Sequence, residues 1–326
     1  MLSRSDLIEQ ASIAISKIRD FMTHEWPYYR KRLTKKYYII RRPELGAGFF
    51  SNYWWVMGHV VFANKLGYIP VVDMENYRTL YSEDEPVYGE TNAWNYYFEN
   101  VGKASLKEAY ASGKYVFAEE RPLNKYANRF CQAEYRFPTE RAIDFYFPVI
   151  KKHMRIRPEL EKDFERQWMD ETKGHHVLGI HVRGTDMRND LGHPVPAETQ
   201  KYIEQAKILV NRYPEIDRIF LATDEENILH LFEEAFNKKE QKPFIFWNPA
   251  FRNRKEQEYG KATGIHEQKP DHMREHHRYL MGLEVLRDAF FLARCDYLLC
   301  GHSNITNVVI LWNNHRYKDI ICLEHK

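Results

Sequence analysis

Three short clusters of polar residues carry side chains suited to gripping anions and sugar hydroxyls. The first is His181, Arg183, Asp186, Arg188 and Asp190; the second is Thr223 and Asp224; the third is Gly301, His302, Ser303 and Asn304. An arginine presents a planar fork of donors that matches a diphosphate and neutralises charge on a leaving group. A Gly-His-Ser-Asn run that opens a helix offers backbone N–H groups and a hydroxyl to a phosphate. Asp224 can accept hydrogen bonds from ribose hydroxyls or from a base edge. Each feature also has a plain structural use. Arg183 and Asp186 can form a local ion pair, and Asp224, Ser303 or Asn304 can serve only as a helix cap. Singly the structural use is the better reading; together, at one edge of one sheet, the three clusters define a site.

The surrounding sequence supplies such a sheet. Residues 177–183, 217–222, 243–247, 297–300 and 320–323 read as short apolar strands, and 197–212, 225–237, 271–294 and 304–312 as helices between them. This alternation predicts a doubly wound parallel sheet, whose ligands sit outside the carboxyl ends of the strands. All three polar clusters fall at that end. The first half repeats the theme less clearly. A helix over 5–22 precedes a strand at 36–42, a glycine-containing turn at 43–52, a helix over about 53–66, a strand at 68–73 and another at 115–119. Residues 138–170 read as largely helical, and the aromatic stretch 92–98 has no assignable structure. The expected architecture is therefore α/β with two Rossmann-like domains, 1–172 and 173–326. The polar, aperiodic segment 251–270 reads as a surface loop able to close over a ligand.

Bulk properties narrow the classes. The 326 residues carry a formal net charge of +2, too mild for a nucleic-acid-wrapping surface. No run of about 18 apolar residues is present, so no membrane span is expected, and the charge-interleaved start of the chain does not read as a signal peptide. Four cysteines, Cys131, Cys295, Cys300 and Cys322, lack disulfide-framework or CxxC spacing and read as reduced thiols of a cytoplasmic protein.

Three motifs in order resemble the fucosyltransferase superfamily of the α-1,6-fucosyltransferases, including the nodulation enzymes, and more distantly the protein O-fucosyltransferases. His181-Val182-Arg183-Gly184-Thr185-Asp186 is similar to that group's HxRxTD. Phe220-Leu221-Ala222-Thr223-Asp224-Glu225 is similar to its LATDD/E strand end. The stretch from Leu286 to Cys300, followed by Gly301-His302-Ser303-Asn304, is similar to its D-x-x-x-L-x-x-x-D-x-L-x-C-x-x-S-S segment. The match covers most of residues 177–312, while Gly46 to Asn52 resembles the family's early glycine-rich loop only loosely. The resemblance implies a GT-B-like scaffold and an inverting transfer from GDP-fucose to a glycan or lipid-linked oligosaccharide, without an obligatory metal or other cofactor. It implies peripheral membrane contact at most and no nucleic-acid partner. It also implies that Arg183 holds the β-phosphate, that His181 and Asp288 contact the guanine, that Asp186 supports the arginine loop, that Asp224 lines the donor pocket, and that Ser303 and Asn304 bind phosphates or sugar. Gly48, Ser51 and Asn52 would border the cleft on the acceptor side. Transfer of another nucleotide-linked sugar, or non-catalytic binding of a nucleotide or glycan, would fit the same residues.

The chain departs from the family in two places. The second arginine of the motif is Gly184, and the lysine and glutamate expected further on are replaced in Met187-Arg188-Asn189-Asp190-Leu191, which leaves Asp190 as the nearest candidate base. Other signals are weaker. His272, His276 and His277 lie on the expected helix without a third metal ligand at useful spacing, Trp54-Trp55 is better read as core than as a sugar platform, and Gly46-x-Gly48 lacks the third glycine of a dinucleotide fingerprint.

Overall fold

The computed structural model describes residues 4–43, 46–118, 137–184, 197–236, 242–253 and 274–323. Helix Arg4–Asp20 (α1) runs through a π-helical turn, Phe21–Glu25, into Trp26–Lys31 (α2). The first sheet is built from Tyr37–Ile40 (β1), helix Phe49–Leu66 (α3), Ile69–Val72 (β2), helix Leu106–Ala111 (α4) and Tyr115–Phe117 (β3). Its order is β2-β1-β3, with both pairings parallel. Helices Glu140–His153 (α5) and Pro158–Thr172 (α6) lead to the second sheet.

That sheet contains His176–Val182 (β4), Ile216–Thr223 (β5), Phe244–Phe246 (β6), Tyr297–Cys300 (β7) and Asp319–Cys322 (β8). Between them run Thr199–Arg212 (α7), Glu226–Phe236 (α8), His277–Leu292 (α9) and Asn304–Asn313 (α10). The order β6-β5-β4-β7-β8 is parallel throughout. Strands β1 and β7 are buried at every position, as expected of a parallel sheet covered on both faces. The strand order reverses between β4 and β7, so the binding crevice of the fold lies beyond the ends of those two strands.

One hydrophobic core joins the two sheets. It contains Tyr38, Trp54 and Phe62 from the first half and Leu286, Phe290, Val308 and Leu311 from the second. Directed bonds cross the same seam: Trp312 Nε1 donates to Tyr53 Oη at 3.0 Å, and Tyr97 Oη donates to the Tyr279 carbonyl at 2.9 Å. α6 packs on α9 through Phe164 against Phe290 and Trp168 against Phe291. Both Trp54 and Trp55 are buried, in line with the core reading.

Two elements differ from the sequence reading. The turn expected to reach Asn52 ends at Gly48, and α3 begins at Phe49. Of its 18 residues 14 are buried; a helix enclosed on all sides shows no polar stripe to mark its start. The helix expected from residue 271 begins at His277, because His276 is left-handed (φ 51°, ψ 45°) and cannot continue a right-handed helix. His276 and His277 are therefore not successive positions of one helix, and His272 lies outside the described residues. Among the described residues no helix is long and apolar enough to cross a membrane, and no group of three His, Cys, Asp or Glu could hold a metal ion. Cys295 and Cys300 are buried free thiols and Cys322 is a partly buried one, while Cys131 lies outside the described residues.

Candidate active site at the switch point

β4 delivers Arg183 to the crevice. Its apolar, buried run from Val177 to Val182 anchors the strand, and the first residue past its end points its guanidinium outward, 37% exposed. Asp224, the residue after β5, reaches across to it: its Oδ2 lies 3.4 Å from Arg183 Nη1 and its Oδ1 accepts from the Gly184 N–H at 2.7 Å. The loop thus has a carboxylate support in Asp224, the role the family resemblance gave to Asp186. Asp186 and Asp190 both lie outside the described residues.

Gly184 has a physical reason to be glycine. A Cβ there would stand 2.5 Å from Asp224 Oδ1 and 2.7 Å from the Glu225 side chain, so the room that a second arginine would need is filled. Gly184→Ala is expected to push Asp224 off its backbone bond and off Arg183. Affinity for a diphosphate ligand should fall by roughly tenfold, the worth of one charge-assisted hydrogen bond, and titration calorimetry would read it.

On the other side of the crevice, β7 ends at Cys300 beside His181 of β4. Ser303 caps α10: its Oγ accepts from Thr306 N at 3.1 Å and donates to Thr306 Oγ1 at 2.9 Å. Thr306 Oγ1 also lies 3.2 Å from His181 Nδ1. His181 is buried, and this desolvation, with Arg183 nearby, pushes its pKa down to about 4, so the ring is neutral at physiological pH. Ser303 is therefore both a cap and part of a hydroxyl pair facing His181. Asn304 begins α10, whose first turn carries no acidic residue, and its carbonyl accepts from Trp54 Nε1 at 3.3 Å.

Gly48 is the extended N-cap of α3, whose first turn also lacks an acidic residue. The starts of α3 and α10 therefore each carry an uncompensated partial positive charge. The Phe49 N–H donates to Tyr81 Oη at 2.8 Å, and Tyr81 is close enough for the Arg183 charge to oppose the rise in its pKa that burial causes. Ser51 and Asn52 are turned to Arg42, whose Nη1 lies 3.0 Å from Ser51 Oγ and 3.3 Å from Asn52 Oδ1.

Asp288 is tied to the segment that follows β6. It is a buried carboxylate on α9 rather than an exposed one, and its Oδ1 accepts from Asn248 Nδ2 at 2.8 Å. Burial raises its pKa to about 6, opposed by Asn248 and by the nearby Arg252 and Arg287. Sequence reasoning missed Asn248, Arg252, Tyr81 and Arg42. Only Thr306, three residues after Ser303, had a visible signal, in the spacing of a capped helix start.

A parallel α/β sheet with an arginine and a capped helix start just beyond the ends of its central strands has a crevice of Rossmann type, where ligands sit in such folds. No model of a known protein family matches the sequence. Among solved structures, a NodZ α-1,6-fucosyltransferase soaked with GDP-fucose is similar over 85% of this chain and 93% of its own, with a TM-score of 0.52 and 18% identity. POFUT1 in complex with GDP-fucose is similar over 89% and 98%, with a TM-score of 0.50 and 12% identity. The chain has the fold of these fucosyltransferases, two Rossmann-like units in a GT-B-like arrangement.

Proposed function

We propose that this chain is an inverting fucosyltransferase that moves fucose from GDP-fucose to a glycan hydroxyl without a metal. The observation that carries the reading is Arg183, 3.4 Å from Asp224 at the switch point, two residues after His181, which meets Thr306 in the first turn of α10. The donor lies along the carboxyl edge of the second sheet. Its pyrophosphate sits between the ends of β4 and β7, and its guanine reaches the Asp288 carboxylate beyond β5. Asp288 accepts from the two adjacent N–H donors of a guanine edge, an arrangement uracil lacks. A NodZ structure soaked with GDP-fucose and a POFUT1 structure in complex with GDP-fucose, on the same fold, support the donor assignment.

In the transfer, an acceptor oxygen forms a bond to the anomeric carbon from the face opposite GDP. The bond from that carbon to the β-phosphate oxygen breaks, and its electron pair leaves with GDP. Arg183 neutralises the charge that develops on the departing diphosphate. The acceptor proton passes to a base, for which we propose Asp190. Residues 1–172 would bind the acceptor, a glycan or lipid-linked oligosaccharide met in the cytoplasm, and residues 173–326 the donor, with Gly48, Ser51 and Asn52 on the acceptor side of the cleft. Calorimetric titration tests the donor. GDP should bind at least tenfold more tightly than UDP, and failure to bind GDP would overturn the reading.

A further inference from the structure

Segment 247–253 follows β6 and was expected to lead into a mobile loop. Its last three residues are instead tied down. Arg252 is buried. Among the described residues it donates to three backbone carbonyls and to no carboxylate: Nη2 to Asn248 at 2.7 Å, Nε to Thr223 at 3.1 Å and Nη1 to Ala250 at 3.4 Å. Asn253 continues the attachment, its N–H donating to the Asp224 carbonyl at 2.8 Å and its carbonyl accepting from Glu226 N at 3.0 Å. One segment therefore grips both sides of Asp224 and, through Asn248, the Asp288 carboxylate.

A buried guanidinium spent on backbone carbonyls is unusual, since desolvating a cation is costly unless its donors are all used. Here the fork does what a neutral side chain could not. β6 ends at Phe246, paired with Phe220, so the last carbonyls of β5 extend past their neighbour strand. Arg252 supplies a donor to Thr223 and at the same time fixes the turn that carries Asn248.

We propose that Asn248 and Arg252 are positioning residues for the donor. Asn248 aims the Asp288 carboxylate at the base, and Arg252 joins that contact rigidly to the Thr223-Asp224 support of Arg183, so the base end and the phosphate end of the pocket are set by one strap. This rests on the donor reading above. The groups facing Asp288 are Asn248, Arg252 and Arg287, which favour its ionised form, and Glu284, which disfavours it. Guanine needs the ionised carboxylate, so binding should weaken as pH falls through the carboxyl's pKa. Removing the Asn248 donor should move that midpoint upward.

The test is titration of GDP and of inosine diphosphate, which lacks the 2-amino group, into wild type, Asn248→Ala and Asn248→Asp between pH 5 and 8. The expected result is that wild type prefers GDP, and that Asn248→Ala loses about tenfold of that preference while its pH midpoint for GDP shifts upward. Asn248→Asp, which sets a second carboxylate against Asp288, should shift the midpoint further. A merely structural asparagine would lower affinity for both nucleotides alike and leave both the ratio and the midpoint in place. That outcome, or a wild type that binds GDP without preferring it, overturns the strap. A wild type that binds no GDP overturns the donor reading itself.

Discussion

Arg183→Ala is expected to lower fucose release from GDP-fucose at saturating donor by about 10²–10⁴-fold, the range seen when a group that stabilises a leaving charge is removed. The fold should not register the change. Arg183 is 37% exposed and its contact with Asp224 spans 3.4 Å, so the pair adds little to stability. The thermal midpoint should stay within about 2 °C of wild type. Arg183→Lys keeps a charge but loses the planar fork that can hold two phosphate oxygens at once, and it should fall between the two. Turnover of Arg183→Ala equal to wild type would remove Arg183 from the mechanism, whatever the donor.

Asp288→Asn should move affinity and stability in opposite directions. GDP binding should weaken by about 10–100-fold, because a charge-assisted contact to the base becomes a neutral and mismatched one. Stability at pH 7 should rise. Burial lifts the folded pKa of Asp288 to about 6, from an ordinary value of 3.8. The folded state therefore holds this proton more tightly than the unfolded chain, and the corresponding stability is full below the unfolded value and lost as pH rises through about 6. At pH 7 the ionised carboxylate costs roughly 1–3 kcal/mol, which the amide avoids. Denaturant unfolding at pH 7 and pH 5 checks this: the advantage of Asp288→Asn should shrink at the lower pH. A substitution that destabilises equally at both values would show that Asp288 is held for packing alone. A carboxylate that is expensive to bury and retained beside an arginine-lined crevice is what a binding site trades against stability.

The second sheet was legible in the sequence because its strands are short apolar runs broken by amphipathic helices such as Glu226–Phe236, and because polar residues stop those runs abruptly at Arg183, Asp224 and Gly301. Topology then brought those stops to one edge. The start of α3 was not legible. Phe49, Phe50 and Asn52 are buried in its first turn, where a pattern-based reading sees only aromatics following glycines. The function of Arg252 was hidden for a different reason. Its partners are carbonyl oxygens, which every residue possesses, so no side-chain motif could reveal them. Asp288 entered through family resemblance alone, since a single aspartate in a helix carries no local signal of burial. Gly184 shows the converse: a departure from the family pattern that looked like a loss is dictated by the carboxylates packed against it.

The core shared by the two sheets bears on how such a protein can evolve. Tyr53 and Trp54 of α3 are bonded to Trp312 and Asn304 of α10, and Gly282 on α9 leaves no room for a Cβ beside Tyr97. The two halves are therefore not interchangeable cassettes. A lineage cannot exchange one half for a foreign one without also inheriting a matched aromatic seam. Change on either side must instead fall outside this shared aromatic interior, because a replacement within it has to match both halves at once.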